Sequence, residues 1–443
     1  MTRISGFLYI FIKNQPAKVI VIGYLSYVIF GWMLLSIPFF QDIDISGIDN
    51  LFIATSAVST TGLVTIDVAS SYNFWGQLVI LLLFQAGGLG YMTFSSFVAL
   101  SIGSRLSKTR ATISKSAFSL PESFEIGDFI KNVIIFTFIS ELIGACWLYF
   151  TFSSEGLENA LWLSIFHSIS AFCTAGFSLL PNGFAPYRDS ININFILSIL
   201  SYLGAVGFIV FADFMQNIRG QRRNLLFTSK LIISMTFWIS SIGTLLIFIS
   251  EPSIQEFSPF NRFLSSMFQV MTASTTVGFN TLDIGTLSKS TLVILTFAMI
   301  FGASPSGTGG GLKVTTLSAL LGLVKSTLKG RSSIRFWKRE VPENKLHTAL
   351  ASFTYYIFVL FIFLFLLTSL HPEIEFFKIL FEAASALGTV GISMGITANL
   401  GFTAKLLIVV LMLMGRVGIL TFGIALSTHD ESHEEEMDND IVI

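Results

Sequence analysis

Charge is what this sequence has least of. Only 12% of its 443 residues are Asp, Glu, Lys or Arg, against roughly 25% in soluble domains. So few charges cannot cover the surface of a soluble chain of this length. That excludes a soluble globular enzyme, a disordered chain and a basic nucleic-acid binder. Cysteine is scarce too. With only Cys146 and Cys173, there is no disulfide framework and no metal-ligand spacing. The 5 histidines are scattered, and no paired carboxylates or nucleophile–base set stand out, so the chain is not read as an enzyme and no bound organic cofactor is expected.

What is abundant is apolar. Hydrophobic residues make up 53% of the chain, with 46 Phe, and the mean hydropathy is +0.75. This composition leaves a multi-spanning protein of the lipid bilayer. Long apolar runs fall at 17–40, 74–103, 129–152, 191–217, 229–249, 288–324, 349–370 and 402–427. Most are long enough to cross about 30 Å of hydrocarbon as helices. They do not alternate apolar and polar residues, as the strands of a membrane barrel would. The first run is too long for a signal peptide and has no small-residue cleavage site, so it reads as a permanent span.

Two kinds of connection alternate between the runs. One kind is basic, with Arg105, Lys108, Arg110 and Lys115, then Arg219, Arg222, Arg223 and Lys230, then Lys325, Lys329, Arg331, Arg335, Lys338, Arg339 and Lys345. The positive-inside rule puts these in the cytoplasm, and eight spans then place both termini there, in agreement with Arg3, Lys13 and Lys18. The other kind is acidic, including Asp42, Asp44, Asp49, Asp67, Asp283, Glu373 and Glu375. An outer face of that sign would concentrate cations.

Each outer connection also carries an apolar segment too short to span, ending in Thr-x-Gly and an apolar residue. The four copies are Thr60-Thr61-Gly62-Leu63, Thr174-Ala175-Gly176-Phe177, Thr276-Val277-Gly278-Phe279 and Thr389-Val390-Gly391-Ile392. Their glycines are 114, 102 and 113 residues apart. A single Thr-x-Gly reads as a helix cap or turn, but four at the same topological place read as a repeat. The expected architecture is an all-α integral membrane protein of four span–pore-loop–span repeats around one pseudo-fourfold pore. The repeats are 1–103, 104–217, 218–329 and 330–429, followed by a tail at 430–443. That tail is acidic, with Glu434-Glu435-Glu436, and reads as a solvated end or a partner contact.

A short helix aiming its C-terminal end inward offers partial negative charge to a cation. The strand after it can turn its carbonyls toward a central axis, and glycine permits the backbone this needs. Four such strands would make a ring of oxygens that replaces an ion's hydration shell. The candidate ring residues are Thr60, Thr61, Gly62, Thr174, Ala175, Gly176, Thr276, Val277, Gly278, Thr389, Val390 and Gly391. No carboxylate is among them, so selection would rest on carbonyl dipoles.

A second glycine follows each motif by 24 to 28 residues, at Gly87, Gly204, Gly302 and Gly415. In three repeats it opens a Gly-x-x-Gly, expected to let the second helices approach one another. In the third, the helix pattern breaks into Gly302-Ala303-Ser304-Pro305-Ser306-Gly307-Thr308-Gly309-Gly310-Gly311-Leu312-Lys313. That run cannot stay a regular helix. Unwound backbone at membrane depth is tolerated only against protein or a water-filled cavity, so a loop just below the ring is expected. A phosphate loop fits worse, because Leu312 separates the last glycine from Lys313. At the matching depth of the last span lies Arg416, and an intramembrane cation marks a pathway or a partner. The candidate gating residues are Gly302, Pro305, Gly307, Gly309, Gly310, Gly311, Lys313 and Arg416. For Arg416, the alternative is a structural or snorkelling arginine. Glu141 and Glu382 read as hydrogen-bonded structural groups, with a proton or ion site as the alternative.

These four motifs and the broken third-repeat helix resemble the Trk/Ktr/HKT superfamily of potassium transporters over essentially the whole chain. Thr276-Val277-Gly278 and Thr389-Val390-Gly391 resemble the Thr-Val-Gly of potassium channels, and the other two are looser copies. Only the first glycine of the channels' Gly-Tyr-Gly is kept, which implies fewer well-formed binding rings. Without an extra N-terminal hairpin, the chain most resembles the KtrB-type membrane subunit of the bacterial Ktr system. The resemblance implies potassium uptake across a bacterial plasma membrane, with sodium as a stimulating ion and the Gly-rich loop as the gate. It also implies a homodimer and a cytosolic KtrA-like ring that binds nucleotides, since no soluble stretch here could hold such a fold. The alternative is a secondary transporter of another cation or small solute, using the broken helix as its binding site. A fourfold parallel repeat argues against it.

Overall fold

The structure is a computed structural model that describes residues 16–90, 126–220, 224–331, 333–337 and 339–427. Arg3, Lys13, the connection carrying Arg105 to Lys115, Arg222, Arg223, Lys338 and the acidic tail lie outside the described residues, as do residues 91–103 of the expected second span.

The described chain is mostly helical. A long helix and two shorter ones recur four times, called short and medium in chain order, although in the third unit the former has 17 residues and the latter 13. The long helices are α1 (Pro16–Leu35), α5 (Ile126–Ser154), α9 (Phe227–Ser250) and α13 (Glu343–Leu370). The short ones are α2 (Gly47–Val58), α6 (Ala160–Phe172), α10 (Pro259–Thr275) and α14 (Phe376–Gly388). A single turn, α3 (Val68–Ser71), precedes the first medium helix, α4 (Phe74–Leu89). The other medium helices are α7 (Ile191–Val206), α11 (Lys289–Phe301) and α15 (Phe402–Val417). Three have a further helix after them: α8 (Phe208–Ile218), α12 (Val314–Leu328) and α16 (Ile419–Leu426). A two-residue hairpin, β1 (Arg335–Phe336) and β2 (Arg339–Glu340), lies between α12 and α13 and pairs Arg335 with Glu340.

Local chemistry sets several helix starts. The Ser46, Asn73, Ser258 and Ser288 side chains accept amide hydrogens from the first turns of α2, α4, α10 and α11. Each satisfies a donor that the helix itself leaves open.

Among the described residues, four helices, within 17–35, 127–154, 227–250 and 343–370, are long and apolar enough to cross a membrane, and two bent pairs raise that to six. The bends correct the expected spans. The run at 191–217 breaks at Gly207 and turns by 90°, and the run at 402–427 breaks at Gly418 and turns by 105°. Both glycines have φ above +90°, a conformation that side chains disfavour and that ends a helix. The first helix also stops at Leu35 rather than at residue 40, because Pro38 begins a separate 3-10 turn.

The packing is cyclic. Each short helix packs against the long helix before it and the medium helix after it. It also packs against the medium helix of the preceding unit: α4 on α6, α7 on α10, α11 on α14, and α15 back on α2. Polar contacts mark these seams. The Trp162 indole donates to Gln77 at 2.8 Å, Tyr202 to Ser240 at 2.7 Å, and Lys405 to Asp49 at 2.7 Å. Surrounded in this way, the short helices are buried on every face over their final turns, as Phe52 to Val58 and Phe381 to Gly388 are.

Candidate functional site

The four short helices end alike. Thr60, Thr174, Thr276 and Thr389 take φ of 51°, 51°, 62° and 50°, and Gly62, Gly176, Gly278 and Gly391 take 86°, 70°, 86° and 88°. Left-handed threonine is uncommon and costs on the order of 1–3 kcal/mol at each position. The burial around each strand holds it in place.

This backbone sorts its polar groups. The amides of Thr61, Ala175, Val277 and Val390 donate back to the carbonyls of Ser56, Ser170, Thr272 and Ser385 at 2.8, 2.8, 3.1 and 2.8 Å. In two strands the next amide is held as well: Gly62 donates to Ser56 Oγ at 3.0 Å and Gly391 to Ser385 Oγ at 3.1 Å. In a trans peptide the carbonyl points away from its own N–H. With the amides committed to the helix behind, the carbonyls before them face the other way. Among the described residues, no donor is bonded to the carbonyls of Thr60, Thr61, Thr174, Ala175, Thr276, Val277, Thr389 or Val390.

The strands close into a ring in chain order. A Cβ placed on Gly62 would meet the Ala175 carbonyl, one on Gly176 the Val277 carbonyl, one on Gly278 the Val390 carbonyl, and one on Gly391 the Thr61 carbonyl. All twelve sequence-predicted ring residues are therefore brought together. The arrangement is chemically a stack of carbonyl oxygens suited to a dehydrated monovalent cation. Among the described residues, no group of three or more His, Cys, Asp or Glu could hold a metal ion.

The Gly-rich segment between α11 and α12 crosses against the four threonines. Thr60 Oγ1 donates to the Thr308 carbonyl at 3.2 Å, and Thr174 Oγ1 lies 3.0 Å from Thr308 Oγ1. Gly310 N–H donates to Thr389 Oγ1 at 2.9 Å. A Cβ on Gly309 would run into Thr276 Oγ1. The loop is also tied to its surroundings. Thr308 N–H donates to Gly204 O, Gly311 N–H to Gly415 O, and Phe208 N–H to Ser306 O. A Cβ on Gly307 would meet the Ala205 carbonyl, and Gly207 lies against Pro305 O.

Two cations hold this loop. Lys313 Nζ donates to Gly309 O at 2.9 Å and Gly310 O at 3.3 Å, while its backbone caps α12. Arg416 donates through Nη1 to Thr308 O and, at 3.0 Å, to Thr60 Oγ1. Its Nη2 reaches Gly87 O and, at 3.2 Å, Gly88 O. Thr308, at the centre of this network, was not among the candidates from sequence. Its place in Gly307-Thr308-Gly309 was the available signal, because a lone hydroxyl in a glycine run has a reason to be there.

The second glycines meet the expectation only in part. Gly87, Gly204, Gly302 and Gly415 lie against the carbonyls of Val58, Phe172, Ser274 and Leu387, each four residues before a ring glycine. They admit the last turn of their own unit's short helix, while Gly207 and the carbonyls of Gly204 and Gly415 also meet the third unit's interrupted second span at Pro305, Thr308 and Gly311. The closing glycines Gly90, Gly207 and Gly418 have positive φ and end helices.

Glu382 accepts hydrogen bonds from Ser393, at 2.9 and 3.0 Å, and from Thr397, behind the fourth strand. Glu141 accepts from Gln85 at 3.2 Å, and Cys173 lies beside both. His167 accepts the Leu179 amide on Nε2, which leaves the proton on Nδ1, facing the Leu163 carbonyl. All three are hydrogen-bonded groups in segments next to the ring strands.

The TrkH family model, that of a cation transport protein, matches residues 35–436. The chain is 32% identical over 435 residues to the Ktr system potassium uptake protein B of Bacillus subtilis (strain 168), covering 97% of both. It is 33% identical over 419 residues to the potassium/sodium uptake protein NtpJ of Enterococcus hirae, covering 92% of both. The crystal structure of the potassium transporter TrkH from Vibrio parahaemolyticus shares its fold, with a TM-score of 0.69 at 22% identity over 91% of this chain and 84% of that one. On the extent of these matches, the chain belongs to the TrkH family of cation transport proteins.

Proposed function

We propose that this protein carries potassium into the cell through the ring of four Thr-x-Gly strands. Each unit contributes two spans and one re-entrant short helix, which makes eight spans, with unit boundaries at 1–103, 104–217, 218–329 and 330–429. The bent and broken medium helices count as one span each in this arrangement. The observation that carries the reading is the closed order of the strands, each glycine lying against the neighbouring strand's free carbonyl. An ion entering the ring exchanges water oxygens for carbonyl oxygens, and no fixed charge traps it there. The names of the B. subtilis and E. hirae relatives support potassium as the cargo, and the second supports a sodium dependence.

In this reading the Gly-rich loop, residues 302–313, is the gate. It lies against all four threonines, and permeation requires it to move. Lys313 and Arg416 hold it in the closed position. The protein works as a homodimer under a cytosolic nucleotide-binding ring of the KtrA type, as the Ktr relatives' names suggest for a multi-component system.

Potassium uptake in cells lacking their own uptake systems tests the ring. Gly278→Ser and Gly391→Ser each push a side chain at a neighbouring carbonyl and strain a positive φ, so both are expected to lose preference for potassium over sodium. Full potassium selectivity in both variants would remove the assignment.

A further inference from the structure

Between α7, α9 and α10, at the seam of the second and third units, the surface opens into a groove of about 750 Å³. Its size suits a small-molecule or single-chain ligand. The walls are largely apolar, with Leu245, Phe248, Phe263 and Met267 along them, and Tyr202 and Ser240 form a hydrogen-bonded pair in the lining. At the depth of a bilayer, a cleft with such walls favours a hydrocarbon chain over water.

One end of the groove carries charge. Phe248, at the C-terminal end of α9, and Phe263, in the first turns of α10, mark it. The Arg262 guanidinium lies 4.3 Å over the Phe248 ring and donates through Nε to the Phe248 carbonyl at 2.6 Å. Its stem runs along an apolar wall while its head stays at the helix end. A guanidinium has five N–H donors, and Phe248 O takes only part of them. Glu256, the nearest carboxylate in sequence, is exposed, and Glu251 is committed to Ser253 and Ser288. Among the described residues, no carboxylate forms an ion pair with Arg262. An arginine so placed suits a phosphate, which it can hold through two parallel hydrogen bonds.

We propose that this groove binds one acyl chain of an anionic phospholipid whose phosphate rests on Arg262. The Pro259 end of α10 belongs to the face that the charge distribution assigns to the outside, so the lipid comes from the outer leaflet. The bound chain lies close to the loop. Val206 lines the groove, and the next residue, Gly207, packs on Pro305 and Gly307. An effect of the lipid on flux rests on the proposed function, whereas its binding does not.

Native mass spectrometry of the purified full-length protein with added phosphatidylglycerol or phosphatidylethanolamine tests the binding. The wild type should retain one phosphatidylglycerol per chain. Thr244→Phe or Ser241→Phe, which fill the groove, should reduce that occupancy at least tenfold, and using both guards against a variant that fails to fold. Arg262→Gln should erase the preference for phosphatidylglycerol over phosphatidylethanolamine. Wild-type occupancy in a folded groove-filling variant would overturn the site. An unchanged headgroup preference in Arg262→Gln would overturn the phosphate contact. Potassium uptake by the same variants is read separately, so failure of the transport reading leaves the binding result standing.

Discussion

Arg416 donates to the hydroxyl of Thr60 at 3.0 Å across 356 positions of the chain. The same guanidinium reaches Thr308 of the Gly-rich loop and two carbonyls near the end of α4. One side chain of the last unit thus joins the first unit's ring strand to the third unit's loop. Hydrogen bonds to a charged group contribute roughly 1.5–3 kcal/mol each. Bonds sharing one guanidinium act as a unit and are not additive.

Replacing Arg416 with Gln removes the charge and most of these bonds. Even about 1.4 kcal/mol lost from the closed arrangement shifts the loop's open fraction tenfold. Potassium flux into proteoliposomes is therefore expected to rise about tenfold or more. Unchanged flux and gating would leave Arg416 with a purely structural role.

Gly204 and Gly127 should respond in opposite ways to alanine. A Cβ on Gly204 would press on the Phe172 carbonyl and the Thr308 hydroxyl, and the carbonyl cannot step aside. Overpacking of that kind costs about 1–3 kcal/mol. At Gly127 a Cβ meets nothing within 4 Å, and alanine in a helix gains roughly 0.5–1 kcal/mol over glycine. Thermal unfolding in detergent should show Gly204→Ala melting below the wild type and Gly127→Ala at or above it. Equal shifts would contradict the close approach at Gly204.

The four motifs were legible because carbonyl presentation needs the same local sequence each time, and Thr-x-Gly with its left-handed threonine is local. The broken third helix was legible for a similar reason, since glycine and proline veto a helix wherever they occur. The sharp bends at Gly207 and Gly418 were not. One glycine in an apolar run reads as packing, and only its positive φ distinguishes a break. Thr308 was missed because its importance lies in partners 134 and 248 positions away. Arg416 was found from its improbable charge, but its partners Gly87, Gly88 and Thr60 are set by the cyclic packing, which no local pattern encodes.

The ring's closure, last unit to first, predicts a charge swap. Lys405 and Asp49 meet at 2.7 Å, with side chains only 12% and 15% exposed. Asp49→Asn leaves the ammonium without its counter-charge and is expected to cost about 2 kcal/mol. Combining Asp49→Lys with Lys405→Asp should recover at least half of what either reversal loses, measured as unfolding temperature in a double-mutant cycle. Simple additivity would mean that the pair does not couple the two units.

Glu251, just past the end of α9, gives a pH dependence with a definite sign. Burial raises its pKa, but hydrogen bonds from Thr291, Ser253 and Ser288 outweigh that and hold it below the ordinary 4.5. Ser253 and Ser288 each donate both an amide and a hydroxyl to it. The folded state therefore binds fewer protons than the unfolded chain near that pH. Its stabilising contribution is complete above 4.5 and is lost as pH falls through the lower folded-state value. Glu251→Gln lacks the charge at every pH. The gap in unfolding temperature between wild type and variant should be widest at neutral pH and shrink once pH drops below 4.5. A gap that stays constant across that range would mean that these donors stabilise the side chain regardless of its charge.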